Sequence, residues 1–295
     1  MSSVTDKVVF ITGGARGVGA EVARRLHAKG AKLVLTDLDE PPLHDLASDL
    51  TSERVLTLVA DVRDFAGMQA AVSRAIDRFG GIDVVMANAG IATMGSVLQV
   101  DPQAVKTLMD VNVMGVFNTV RAALPSVIDR RGYVLIVSSL AAYAAAPGLA
   151  PYNAAKAAVE HFANALRLEV AYRGVDVGSA HMSWIDTPLV QEAKSDLPTF
   201  REMLSKLPGP LSKTTSVEAC GEAFVKGIEG RKRQINCPGW VGLIRWLRPL
   251  LAAPVGESQT LKFVPDLMPR LDAEVAALGR SMSARTDALE KKQIN

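Results

Sequence analysis

Short runs of β-branched and apolar residues recur along the chain, and they are apolar on both faces rather than alternating. Lys7–Thr12, Lys32–Thr36, Arg54–Ala60, Ile82–Ala87, Tyr133–Ser138 and Val175–Met182 read as successive strands of this kind. Strands without a polar face belong in a parallel sheet covered by helices on each side. Between them the apolar period lengthens to that of helices, as in Gly19–Lys29, stopped by Gly30, and Phe65–Phe79, stopped by Gly80-Gly81. Regular alternation of the two predicts an α/β fold, a doubly wound parallel sheet with helices on both faces. Ala154–Tyr172 is apolar round much of its circumference, which predicts a helix buried against the core and against a second subunit.

After Thr187-Pro188 the pattern loosens. Residues 189–210 mix apolar and charged positions between prolines, a composition that suits a mobile lid over a pocket. Ser216 is placed to N-cap a helix over Val217–Glu229, and a short strand, Gln234–Cys237, follows. The main domain is thus expected over 1–237, with a helical extension over 238–295 packed on it or on a partner. In Trp240–Leu251, Trp240, Leu243, Ile244, Leu247 and Leu251 share one helical face, with Arg245 opposite and Arg248 on the flank. The sequence carries no acidic residue between Glu229 and Glu257, whereas Arg231, Lys232, Arg233, Arg245 and Arg248 are basic. Such a stretch either lies on an anionic membrane surface or packs over the pocket or a neighbouring subunit. Leu267, Leu271, Val275 and Leu278 give one more helix in Asp266–Leu278, before a polar tail from Ser281 that is expected to fray.

Composition narrows the function. A chain of 295 residues has ample length for a well-buried core, and a net charge of +2 gives no reason to expect a nucleic-acid partner. Two cysteines, Cys220 and Cys237, cannot form a disulfide framework and are expected as apolar filler. His27, His44, His161 and His181 are scattered without metal-ligand spacing, so no metal is expected. The start, Met1 to Asp6, has neither a basic n-region nor an apolar h-region, and no run of about 20 uninterrupted apolar residues occurs. The expected location is the cytosol, with peripheral membrane contact through 240–251 as the variant.

Chemistry enters with Thr12-Gly13-Gly14-Ala15-Arg16-Gly17-Val18-Gly19, which follows the first strand and opens the first helix. Glycines there let the chain turn tightly and let backbone N–H groups approach a pyrophosphate at the positive helix end. Asp37 closes the second strand, where a carboxylate accepts from ribose hydroxyls and repels a 2′-phosphate, favouring NAD(H). Arg16 argues the other way, since a basic residue in the glycine turn can pair with that phosphate. Further on, Tyr152 and Lys156 stand four apart on one helical face, and Ser139 precedes the tyrosine by thirteen residues. Bringing a tyrosine from its pKa of about 10 to near neutrality takes about 4 kcal/mol. One cation at about 4 Å and an effective dielectric of about 20 supplies roughly that. The lysine alone is therefore expected to suffice for a tyrosine acid/base.

Taken together, these motifs resemble the short-chain dehydrogenase/reductase family, from about Val4 to about Cys237. The resemblance implies a Rossmann-type dinucleotide domain in which Gly13, Arg16, Gly17, Val18, Gly19 and Asp37 bind the cofactor. It further implies that Asp61 and Val62 touch the adenine, that Asn88, Ala89 and Gly90 close the cofactor site, and that Ile185 and Thr187 bind the carboxamide. Asn112 matches the asparagine that bends a helix and holds a water leading to the lysine. Ser139 matches the residue that orients the substrate oxygen, Tyr152 the acid/base, and Lys156 the lysine that also holds the nicotinamide ribose. Two positions depart from the family pattern: Ala87-Asn88 replaces paired asparagines, and Met182-Ser183 replaces Pro-Gly. The implied activity is hydride transfer between NAD and a secondary alcohol or ketone, by a homodimer or homotetramer. Small residues across Ala141–Ala146 and the apolar lid leave room for a bulky, hydrophobic substrate. The alternatives are an NADP(H)-dependent carbonyl reductase and a non-catalytic nucleotide-binding scaffold.

Overall fold

In the computed structural model, which describes residues 3–50 and 53–294, the predicted alternation continues to the last strand. The chain runs through β1 (Val8–Thr12), α1 (Gly17–Ala28), β2 (Lys32–Asp37), α2 (Glu40–Leu50), β3 (Val55–Val59), α3 (Phe65–Phe79) and β4 (Val84–Ala87). It continues through α4 (Pro102–Met109), α5 (Gly115–Asp129), β5 (Tyr133–Val137), α6 (Ala150–Val170), β6 (Asp176–Met182), α7 (Pro188–Asp196) and α8 (Pro198–Lys206). Then come α9 (Val217–Glu229), β7 (Gln234–Cys237), α10 (Val241–Leu251), α11 (Pro254–Leu278) and α12 (Ala284–Ile294). All seven strands pair in parallel in the order β3-β2-β1-β4-β5-β6-β7, and the reversal of order lies between β1 and β4.

Each face of the sheet has its own core. On one, Val22 and Leu26 of α1 and Phe224 and Ile228 of α9 pack on Leu33 and Leu35. On the other, Met68 of α3, Val116 and Val120 of α5 and Val159 of α6 cover Phe10, Val85 and Ile136. Phe10 is fully buried in the central strand, so its replacement by alanine would cost about 3–5 kcal/mol. The run Pro102–Asp129, which holds α4 and α5, reaches a mean hydropathy of 1.3, enough for a membrane span by length and composition. Half of it is buried, and α5 packs on α3 and the sheet, so core packing accounts for its apolarity.

The C-terminal third departs from the sequence reading in several ways. Residues 189–210 are largely helical rather than irregular: α7 and α8 occupy most of them, and Phe200, Met203 and Leu204 are buried against Leu267, Leu271 and Val275 of α11. The prolines that mask this helical pattern, Pro188 and Pro198, sit in the first turn of each helix, where the missing N–H costs nothing. The predicted face of α10 divides. Val241, with Trp240 and Ile244, packs on Leu140, Ala142 and Tyr143, while Leu243, Trp246 and Leu250 point outward. Arg245 is held against the body by a 2.9 Å bond to Gln234 Oε1. The tail expected to fray from Ser281 forms α12 and is tied back by ion pairs described below. Met1 and Ser2, part of the segment read for a leader, lie outside the described residues.

Candidate active site

A turn between β1 and α1 takes Gly13 and Gly17 through φ of 63° and 52°, which side-chain-bearing residues resist. A Cβ on Gly19 would collide with the Gly13 carbonyl oxygen and with Asn88 Nδ2, so turn and helix touch backbone to backbone. Asn88 braces them from below: its Nδ2 donates to the Thr12 and Gly13 carbonyls at 3.0 and 2.9 Å. Thr12 Oγ1 accepts from the N–H groups of Asn88 and Ala89. One asparagine therefore holds the turn without a second at Ala87. Arg16 precedes α1 without a side-chain cap, and the first turn carries no acid, so an anion can meet the helix N-terminus.

At the end of β2, Asp37 accepts from the N–H groups of Ala15 and Asp39, both at 3.1 Å. Asp39 Oδ2 accepts from two guanidinium groups, Arg16 Nη2 at 2.9 Å and Arg285 Nε of α12 at 2.8 Å. Asp61 is gripped by Arg63 at 2.7 Å, and Arg63 also donates to Glu290 of α12 at 2.9 Å. These two contacts carry α12 across this end of the site. A single chamber of about 1170 Å³ runs from here, past the glycine turn, to β5 and α6.

Tyr152 and Lys156 lie one turn apart on α6 at the middle of that chamber, with Ser139 facing them from the end of β5. Lys156 Nζ is 5.6 Å from the centre of the Tyr152 ring and donates to the Val137 carbonyl at 3.1 Å. Its backbone carbonyl accepts from Ser138 Oγ at 2.9 Å, which fixes α6 against β5. Burial lowers the Lys156 pKa to about 8. Burial also raises the Tyr152 pKa, and the hydrogen bond with Ser139 opposes that rise. The expectation that Lys156 alone brings the phenol near neutrality is thus corrected. The ammonium donates to the Val137 carbonyl while lying 5.6 Å from the ring centre, and desolvation of the phenolate is the leading influence on the phenol.

Of the residues singled out in the sequence, Gly13, Arg16, Gly17, Val18, Asp37, Asp61, Val62, Asn88, Ala89, Gly90, Ser139, Tyr152, Lys156, Ile185 and Thr187 line the chamber. Gly19 and Asn112 stand behind its wall. Asn112 sits in one π-helical turn, Asp110–Met114, between α4 and α5, and its amide is spent on Ile91, accepting from the N–H at 2.8 Å and donating to the carbonyl at 2.9 Å. A Cβ on Gly90 would stand 3.3 Å from Asn112 Oδ1 and 3.5 Å from Lys156 Nζ, so the three converge there. The Met182-Ser183 departure is absorbed by the sheet edge: Ser183 N–H donates to the Cys237 carbonyl, and Thr215 pairs with Trp184 and Asp186. Thr187, which follows, packs against Gly17.

Beyond Tyr152 the lining is mostly apolar, with Ala144, Trp184, Phe200, Leu207, Phe263 and Val264 among its residues. Trp184 meets Phe200 edge to face at 5.6 Å. His181 is fully buried, stacks on Tyr143 at 4.4 Å and bonds Ser179 Oγ and the Ser139 carbonyl, so it supports the floor rather than meeting a substrate. Four buried polar atoms of chamber residues have no protein partner among the described residues: Arg16 Nε, Tyr143 Oη, Asn153 Oδ1 and Ser183 Oγ. Arg285 and Glu290 did not stand out in the sequence, because only the packed fold brings them to the chamber.

Comparison with known proteins converges on one family. The family model for short chain dehydrogenases matches residues 7–198. The oxidoreductase UcpA of Salmonella typhimurium is 34% identical over 195 residues, 65% of this chain and 74% of that protein. An uncharacterised NAD-dependent oxidoreductase of Mycobacterium tuberculosis is 33% identical over 215 residues, 67% of this chain and 78% of the relative. Among solved structures, a 3-ketoacyl-(acyl-carrier-protein) reductase from Brucella melitensis complexed with NADH superposes with a TM-score of 0.71 at 27% identity, covering 79% of this chain and 97% of that one. A short chain dehydrogenase/reductase from Burkholderia phymatum in complex with NAD shares the fold, with a TM-score of 0.74 at 24% identity over 83% of this chain and 94% of the other.

Proposed function

This chain belongs to the short-chain dehydrogenase family of oxidoreductases, and we propose that within it the protein uses NAD(H) to interconvert a bulky, apolar secondary alcohol and its ketone. The observation that carries this reading is the meeting of Tyr152, Lys156 and Ser139 midway along a chamber that begins at the glycine turn and ends in apolar side chains.

The residues present fit a dinucleotide. The uncapped start of α1 and the Gly13–Gly17 cradle suit its pyrophosphate, and the Asp37 carboxylate suits its ribose hydroxyls. The guanidinium groups best placed to receive a 2′-phosphate, Arg16 and Arg285, are both engaged by Asp39, which favours NAD over NADP. The named relative from Mycobacterium and the NADH-bound reductase agree with that choice. Asp61 and Val62 would flank the adenine, Asn88 to Gly90 would close the site, and Ile185 and Thr187 would meet the carboxamide. A bound oxidised nicotinamide supplies the hydride acceptor and a positive ring charge.

In the oxidative direction Ser139 holds the substrate oxygen, and Tyr152, as phenolate, takes the alcohol proton at its hydroxyl oxygen. Lys156 stabilises that phenolate and fixes the ribose. Asn112 is a positioning residue here: by gripping Ile91 it sets the segment that carries Gly90 beside Lys156. In reduction the same phenol returns the proton. The apolar wall excludes water and selects the substrate by shape. Exposed Leu168 and Tyr172 near the end of α6 offer an apolar face for a second copy of the chain.

The test is oxidation of a panel of secondary alcohols by wild type and Tyr152→Phe, with NAD and with NADP. A wild-type rate with NAD, reduced about 10²–10⁴-fold in the variant while NADH still binds, supports the assignment. Equal rates in the two proteins would sink it, and no turnover with bound NADH would leave a nucleotide-binding scaffold.

A further inference from the structure

The hairpin of α10 and α11 carries apolar side chains on its outer surface that the fold leaves uncovered. Leu243 is 59% exposed, Trp246 77%, Leu250 59% and, on α11, Leu261 58%. A folded chain seldom leaves a tryptophan and two leucines outward on one 11-residue helix without an occupant. The inner side of the same hairpin is chamber wall, to which Arg248, Leu251, Ala252 and Leu261 all contribute. Leu261 therefore touches both the cavity and the outside, so the outer apolar surface is continuous with the mouth of the apolar half.

On α10 itself the charged residues, Arg245 and Arg248, are both basic, while the first turn of α11 carries the exposed acid Glu257. The Arg245 guanidinium lies 5.5 Å over the Trp246 ring. Burial and the like charges of Arg233 and Arg245 hold Arg167 below its usual pKa, which places Arg167 in the field of both. Glu160 pairs with Arg248 at 3.3 Å and also lies in the field of Arg245. Across a two-fold axis such a rim would face its own charge, which disfavours a second copy as the occupant. An anionic bilayer answers both features. Headgroup phosphates suit the arginines, and an indole flanked by leucines suits the boundary with the acyl chains.

We propose that α10 and the start of α11 seat on an anionic membrane surface, and that the apolar end of the chamber takes its lipophilic substrate from that surface. The uptake route rests on the dehydrogenase reading of the chamber; the docking does not. The intact protein would be sedimented with vesicles of phosphatidylcholine alone and with about 30% phosphatidylglycerol added, at about 0.1 M salt and again at about 0.5 M. The expected result is binding at least about tenfold stronger to the anionic vesicles, weakened by salt, and lost about tenfold in Trp246→Glu and Leu250→Glu. Both variants should keep the wild-type circular dichroism and NADH affinity. Wild type that stays in the supernatant with anionic vesicles overturns the proposal, as do variants that sediment like wild type. A change of oligomer mass in the variants with no change in vesicle binding assigns the stripe to a second copy instead. Vesicle binding without NADH binding would retire the dehydrogenase reading and leave the docking intact.

Discussion

Removing Arg285 should open the nucleotide end of the chamber. Its guanidinium is 2.8 Å from Asp39 Oδ2 and 3.9 Å from Asp37 Oδ1, and with the Arg63–Glu290 pair it ties α12 across the residues expected to hold the adenosine. At an effective dielectric of about 20 the closer contact has a gross Coulomb energy of about 6 kcal/mol. Solvent reduces that heavily, since the side chains are 32% and 15% exposed, and a net worth of about 1–2 kcal/mol remains for a partly buried, charge-assisted bond. If α12 must lift before the dinucleotide leaves, Arg285→Ala should raise the NADH release rate by about 5–30-fold. Stopped-flow displacement of NADH, followed by its fluorescence, measures that rate. Glu290→Gln should act in the same direction, because it weakens the second tie. Release rates in both variants within about twofold of wild type, with the fold intact, would refute the idea that α12 holds the nucleotide.

Two further outcomes follow from the buried polar groups and the glycine turn. Gly19→Ala should abolish NADH binding and lower Tm, because its Cβ would strike the Gly13 carbonyl oxygen; wild-type affinity in that variant would show the turn to be more pliant than its contacts imply. Burial lowers the His181 pKa from 6.5 to about 4, so the folded protein holds this ring neutral while the unfolded chain protonates it. Its contribution is complete above about pH 6.5 and is lost as the pH falls towards 4, up to about 3 kcal/mol in all. Tm measured across that range should fall more steeply for wild type than for His181→Asn, and parallel curves would contradict the assignment.

The sheet was legible because its central strands, β1, β2, β4, β5 and β6, are largely buried on both faces, whereas the edge strands β3 and β7 are only partly covered. The glycine turn and Tyr152–Lys156 were legible for a related reason, since each is a local pattern whose parts lie within one or two turns of chain. What escaped was non-local. Pro188 and Pro198 read as breaks in a loop, yet each starts a helix, and only the contact with Leu267 and Leu271 makes those helices worth forming. The residues of α12 look like a solvated tail because their partners, Asp39 and Arg63, are more than two hundred positions away. The energetics of Tyr152 were misjudged for the same kind of reason. Spacing on a helix gives the distance between two side chains, but not the burial that penalises the phenolate.

The stitching of α12 to the far end of the chain also bears on the order in which the molecule assembles. The Arg285–Asp39 and Arg63–Glu290 contacts span 246 and 227 residues. Contacts of such long range bear the largest loop-closure cost and repay it only once the sheet has brought Asp39 and Arg63 into place. They therefore form late and, resting on few buried apolar groups, belong among the first to open. The binding chamber is completed after the fold, and it can be undone and remade at its nucleotide end while all seven strands stay paired.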